Sequence, residues 1–230
     1  MNCGNLYLSF DLFRVFVIII VGILDTARHE GSGKAIVHTA AASQLGQMLN
    51  KLAPSEGMEI INVVRREEQA ELLRKIGAKH IVVTGSGTDD DSETKWKTEL
   101  KEKINELGAT CAFDAVAGRM TGALLSVLPP DGTVFVYGGL AGNAGNINPM
   151  DLIYRKKHLK GFLLTTWLKS GGPLQMVPRL YSAGKTVNAG LKDGGWSSSQ
   201  FTDTTMESAY EDIVKLLKSS ITGQKLRLRF

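Results

Sequence analysis

Cysteine is nearly absent from this chain: Cys3 and Cys111 are the only two among 230 residues. Two are too few for a disulfide framework, and neither has a Cys or His neighbour at metal-ligand spacing. A reducing compartment is therefore the default expectation. Proline (6) and aromatic residues (7%) are scarce, whereas glycine numbers 25. That balance suits an α/β fold, whose tight strand-to-helix turns use glycine where φ is positive or backbones approach closely. No dense block of one charge occurs, since 27 basic and 23 acidic groups leave a net charge of only +4. Nucleic acid is not an expected partner of so mild a surface. His29, His38, His80 and His158 are scattered, with no pair at the spacing of a metal site or an acid–base couple. No metal is expected, and no catalytic residue can be named.

Long hydrophobic runs are also missing, with one exception at residues 10–24, whose uninterrupted part is residues 15–24. As a helix those ten residues reach roughly 15 Å, about half of a bilayer core. Crossing would drag Asp11 and Arg14 into lipid at roughly 2.5–3.5 kcal/mol each at the centre. The basic flank is a single arginine, and no A-x-A-like cleavage site follows. A membrane role is not expected, and the chain is assigned to a soluble cytoplasmic or organellar compartment.

What is present is alternation. With 43% hydrophobic residues the chain can build a sizeable core. Periodicity predicts a short helix over residues 22–30 closed at Gly31, then strands over 34–38, 59–64, 80–83, 110–116, 133–137 and 159–164. Helices are predicted between them over 45–52, 67–76, 96–107 and 120–128, with a surface loop at 85–94. Such spacing argues for right-handed crossovers and a parallel sheet with helices on both faces. Six strands in two sets of three is the count of a doubly wound sheet. Beyond it come a loop over 182–204, a helix over 206–217 and a strand over 225–230.

The first strand-to-helix turn of such a sheet must let backbone amides approach a phosphate at the positive end of a helix. Here the G-x-G-x-x-G spacing is filled as Ala41-x-Ser43-x-x-Gly46, keeping only the last glycine. Where an acid would grip a ribose 2′-hydroxyl, after the second strand, the chain reads Val63-Val64-Arg65-Arg66. Guanidinium groups pair with a 2′-phosphate, so the pattern favours NADPH over NADH. The competing reading is that both arginines merely open a solvated helix beside Glu67 and Glu68.

The segments VHTAAASQLGQML and INVVRREEQAELLRKIGAKHIV, with FDAVAG, GTVFVYGG and KGFLLTTW in the same order, resemble the cofactor domain of medium-chain, zinc-type alcohol-dehydrogenase-like reductases. The resemblance is nearest to the quinone reductase and 2-enoyl thioester reductase branches. It implies a Rossmann-type α/β fold and an oxidoreductase that passes hydride from NADPH to a quinone or an enoyl/carbonyl-type acceptor without zinc. Carried over by position, it implies that Ser43, Gln44, Leu45 and Gly46 meet the pyrophosphate and that Arg65 and Arg66 hold the 2′-phosphate. Tyr137, Gly138, Gly139 and Leu140 would line the nicotinamide ribose, and Phe162, Leu163 and Leu164 would meet the nicotinamide amide. A short-chain reductase is rejected: Ala40 and Gln44 replace its glycines, and Gly184 is read as a helix C-cap that parts Tyr181 from Lys185.

Three parts are expected: an apolar segment outside the family pattern (1–21), an NADP-binding domain (22–178) and a C-terminal loop, helix and strand (179–230). The family's N-terminal catalytic domain is not among them, so a truncated chain of weak or no activity alone is the expectation. The alternative is a non-catalytic nucleotide-binding module. A further option is a self-associating interaction module, a homo-oligomer formed through apolar surface near Phe162, Leu164 and Trp167.

Overall fold

The computed structural model describes residues 4–85, 90–192, 200–219 and 224–228. Its centre is a fully parallel six-stranded sheet: β1 (Ala35–Thr39), β2 (Glu59–Val64), β3 (His80–Val83), β4 (Cys111–Asp114), β5 (Thr133–Val136) and β6 (His158–Gly161), in the order β3-β2-β1-β4-β5-β6. This is the doubly wound order, with its reversal between β1 and β4. The register pairs Ile36 with Ile60 on one side and with Cys111 on the other.

Strand side chains alternate between two cores. Ile36, Ile60, Cys111, Phe113 and Phe135 pack beneath α1 (Gly4–Glu30) and α2 (Gln44–Leu52). Val37, Ile61, Val82, Ala112 and Val134 pack beneath α4 (Asp90–Leu107) and α5 (Arg119–Val127). Burial on both faces is what allows near-continuous apolar strands rather than alternating ones. Between β2 and β3 runs α3 (Glu67–Lys75), whose Ala70 and Leu73 pack on Ala41, Ala42 and Val64.

Two polar ties hold helices to the sheet. Lys157, with no exposed side-chain surface, binds Asp151 at 2.9 Å and donates to the carbonyls of Leu125 (2.7 Å) and Ser126 (3.1 Å). Its ammonium thus has three acceptors and caps the C-terminal end of α5. Asn50 and Asn62 exchange amide hydrogen bonds of 2.6 and 2.9 Å, locking α2 to β2.

Several expected elements shift. The first helix starts at Gly4 rather than residue 22, and Val17, Ile20, Ile23, Leu24 and Ala27 are buried in the sheet core. The apolar run is thus one continuous helix whose residues from 17 onward pack as core. Gly22 lets it pass: a Cβ there would stand 3.0 Å from Phe162 and 3.2 Å from Trp167. Among the described residues, no helix is long and apolar enough to cross a membrane. Helix α4 begins at Asp90, not at 96, inside the expected loop. Two short helices, α6 (Pro149–Ile153) and α7 (Leu164–Lys169), were not expected, and β6 stops at Gly161 because Leu164 already belongs to α7.

Gly184 does not end a helix. It lies within α8 (Pro173–Lys192), which also contains Pro178 and occupies part of the expected loop. The breakers are outweighed by packing: Ala183 is buried, and Arg179 donates to the carbonyls of Trp167 and Ser170. The rejection of a Tyr181–Lys185 pair therefore cannot rest on a broken helix; it rests on Tyr181 standing 76% exposed on α8. Near the C-terminus β7 (Gln200–Thr204) and β8 (Gln224–Leu228) pair in parallel, with α9 (Ala209–Ser219) between them. The strand β7 falls at the end of what reads in sequence as a loop.

If α1 is core, truncating a buried residue of it is costly. Ile23→Ala is expected to lower unfolding stability by about 2–5 kcal/mol, the usual range for a buried isoleucine, read as a shift in urea midpoint at constant slope. A change below about 0.5 kcal/mol, the level of an ordinary surface substitution, would contradict that packing.

Candidate functional site

At the C-terminal edge of the sheet, where the strand order reverses, a cleft of about 380 Å³ opens. Thr39, Ala42, Ser43, Arg65, Gln69 and Leu140 are among its lining residues. Doubly wound sheets leave such a crevice because neighbouring crossovers depart to opposite faces there.

One wall is the turn from β1 to α2. Ala40 has φ +50° and Ser43 donates its amide to the Ala40 carbonyl at 2.9 Å, turning the chain sharply. Ser43 is the N-cap of α2, its hydroxyl accepting from the Gly46 amide at 3.2 Å. Gly46 is obligatory here, because a Cβ would fall 2.2 Å from the Ala41 carbonyl oxygen. The first helical amides, those of Gln44 and Leu45, have no intrahelical acceptor and carry the positive end of the helix dipole.

The floor is held by Asp114. This fully buried carboxylate accepts from the Thr39 hydroxyl (2.9 Å), the Thr121 hydroxyl (2.8 Å) and the amides of Val116 (2.9 Å) and Ala117 (3.2 Å). It ties the ends of β1 and β4 to the start of α5. Four hydrogen bonds satisfy it as an acceptor, so it organises the turn rather than facing a ligand. The Thr39 hydroxyl in turn accepts from the Ala115 amide at 2.9 Å.

Opposite stands the end of β2. Arg65 is exposed and lines the cleft, and Arg66, half-buried, is the N-cap of α3. Gln69 Oε1 accepts from the amides of both Arg65 (3.0 Å) and Arg66 (3.2 Å). Sequence reasoning passed over Gln69; the E/Q-at-N3 signature of a capping box was the available signal.

The remaining expected residues divide. Leu140 lines the cleft, and Gly138 packs so closely that a Cβ would stand 2.7 Å from the Ala115 carbonyl oxygen. Tyr137 turns to the other face of the sheet, where its hydroxyl lies 2.7 Å from His38 Nε2 and the two rings stack. Phe162 also faces that core, edge-on to Phe113, with its amide bound to the Val136 carbonyl. Leu163 is 61% exposed and Leu164 starts α7; neither lines the cleft. Of the apolar surface expected near Phe162, Leu164 and Trp167, the Trp167 part is covered: its indole donates to Asp25 at 2.7 Å and lies buried under Arg179. Cys111 is a buried thiol whose pKa burial pushes up to about 12, the inert case.

The chain belongs to the zinc-binding dehydrogenase family, whose model matches residues 45–177. Among curated relatives it is 30% identical over 146 residues to the bovine mitochondrial enoyl-[acyl-carrier-protein] reductase, covering 61% of this chain and 37% of that protein. The Xenopus tropicalis enzyme of the same name is 32% identical over 142 residues, covering 60% and 38%. Of solved structures, a Mesorhizobium loti protein assigned as an NADPH:quinone reductase matches with a TM-score of 0.74 at 28% identity, over 94% of this chain and 58% of that one. The chain thus spans little more than a third of those two curated relatives and somewhat over half of the solved one. Among the described residues no three of His, Cys, Asp and Glu converge as they would around a metal ion.

His38 gives the fold a pH signature. Burial lowers its pKa from 6.5 to about 4, so folding keeps it neutral. Between those values the unfolded chain takes up a proton that the folded chain refuses, and stability falls as pH drops through that window. At about 1.4 kcal/mol per pKa unit the loss approaches roughly 3 kcal/mol near pH 4 and is absent above pH 7. Urea titrations at pH 7 and 4.5 should show this drop in the native chain and a drop about 2 kcal/mol smaller in His38→Phe. Equal drops would contradict a neutral, buried His38.

Proposed function

We infer that this chain is the NADPH-binding part of an oxidoreductase whose acceptor is an enoyl thioester or quinone-type compound. One observation carries the reading: Ser43, the N-cap of α2, and Arg65, just after β2, line a single cleft at the reversal point of the sheet. A diphosphate needs free helical amides close to backbone, and the Gly46 crossing provides that approach. A 2′-phosphate needs a cation just beyond β2, and Arg65 stands there. Bound NADPH would supply hydride; Ser43, Gln44 and Leu45 would hold its pyrophosphate, and Arg65 with Arg66 its 2′-phosphate. Leu140, with Gly138 and Gly139, would form the wall toward the nicotinamide ribose. The acceptor class rests on the enoyl and quinone reductases that the chain resembles. The compartment proposed is one supplied with NADPH, cytosolic or organellar.

A second reading, self-association, draws on exposed apolar side chains that lie away from the cleft: Leu163, Leu174 (90% exposed), Val177 and Tyr181. Its surface is mainly α8 rather than the neighbourhood of Trp167.

Titration calorimetry separates the phosphate reading from a merely solvated arginine pair. NADPH is expected to bind more tightly than NADH by about 1.5–3 kcal/mol, the size of charge-assisted hydrogen bonds. The double variant Arg65→Ala, Arg66→Ala should abolish that difference and leave NADH affinity within about twofold. Equal affinities in the native chain would sink the reading.

A further inference from the structure

The first turn of α3 distributes charge unevenly around the cleft. It contains Glu67, Glu68 and Gln69. Glu67 reaches along the helix to Arg74, at 2.6 Å, and neither it nor Glu68 lines the cleft. The side chain of this turn that does line it is the neutral one, Gln69. Yet at this N3 position glutamate would make the same capping geometry and add a favourable interaction with the helix dipole. Local helix energetics therefore favour Glu or are indifferent, and the neutral amide calls for a reason outside the helix.

We propose that Gln69 is a positioning residue for cofactor specificity: its carbonyl clamps the Arg65 and Arg66 amides while keeping carboxylate charge out of the cleft end that takes a phosphomonoester. The clamp is geometric, one oxygen accepting two successive amides at 3.0 and 3.2 Å, which fixes where the Arg65 side chain leaves the backbone. The neutrality is electrostatic, because a carboxylate on that wall would repel a 2′-phosphate and compete for the guanidinium that binds it. Both parts rest on the NADPH reading, and both act on the 2′-phosphate alone. NADH, which lacks it, should be nearly blind to the substitution.

The test is calorimetry on the full chain with NADPH, NADH, 2′,5′-ADP and 5′-AMP, comparing Gln69→Glu, Gln69→Ala and Arg65→Ala, with thermal unfolding of each variant. Gln69→Glu is expected to fold with native or raised Tm, to lose at least tenfold in affinity for NADPH and 2′,5′-ADP, and to change less than about twofold toward NADH and 5′-AMP. Gln69→Ala, which removes the clamp without adding charge, should lower the NADPH-to-NADH affinity ratio about three- to tenfold, so the proposal can be judged even if the glutamate variant folds poorly. A ratio left unchanged by both substitutions, while Arg65→Ala abolishes it, overturns the role of Gln69 and leaves the cofactor reading standing. A native chain with no preference for NADPH overturns both.

Discussion

Helix α2 leaves the first strand so steeply that at residue 46 there is no room for a side chain, the Ala41 carbonyl standing 2.2 Å from where a Cβ would be. The rest of the arrangement follows from this crossing. It brings the helix start over the end of β1 and sets Ser43 as N-cap on the wall of the cleft. It also demands a tight return of the chain, which Ala40 supplies at φ +50° where glycine would be unstrained. Ala117, at φ +60°, does the same at the end of β4 across the reversal point. Strained alanines at the exits of the two central strands mark this edge as the place where the surrounding structure holds the backbone against its preference.

The holding is done by buried polar groups rather than by more apolar surface. Asp114 receives four hydrogen bonds from three segments, so the exits of β1 and β4 and the start of α5 behave as one rigid unit. Lys157 and Asp151 perform the matching task at the far end of α5. Groups of this kind add little net stability when complete and cost several kcal/mol when half removed. Their contribution is to fix geometry around a cleft whose walls must sit within a fraction of an ångström of their working positions.

The sheet was legible because each strand is a short β-branched run bounded by glycine or polar turns, and residues 59–64 and 80–83 have the expected limits. The place of Arg65 on the cleft was legible from its offset just beyond the end of a strand. The first helix was harder to delimit, since one apolar run serves equally for a membrane, a signal or a core, and what tells them apart is contact with Ile36 and Phe113. Gly184 misled because local breaker preference, on the order of 1 kcal/mol, loses to packing around Ala183 and the carbonyl contacts of Arg179. Which way Tyr137 points was not legible, since strand pleat turns its side chain to His38 and a one-residue difference in register would reverse that. Gln69 went unread because its importance lies in two backbone amides, which no side-chain motif displays.

The crossing at Gly46 and the arginine after β2 are proposed to bind the two ends of one dinucleotide. Backbone-amide chemical-shift mapping during titration with NADP⁺ addresses that proposal directly. One saturable set of shifts is expected at Ser43 to Gly46, at Arg65 to Gln69 and at Leu140, with 5′-AMP reproducing few of those beyond β2. Shifts concentrated elsewhere in the chain, or none at millimolar ligand, would contradict it.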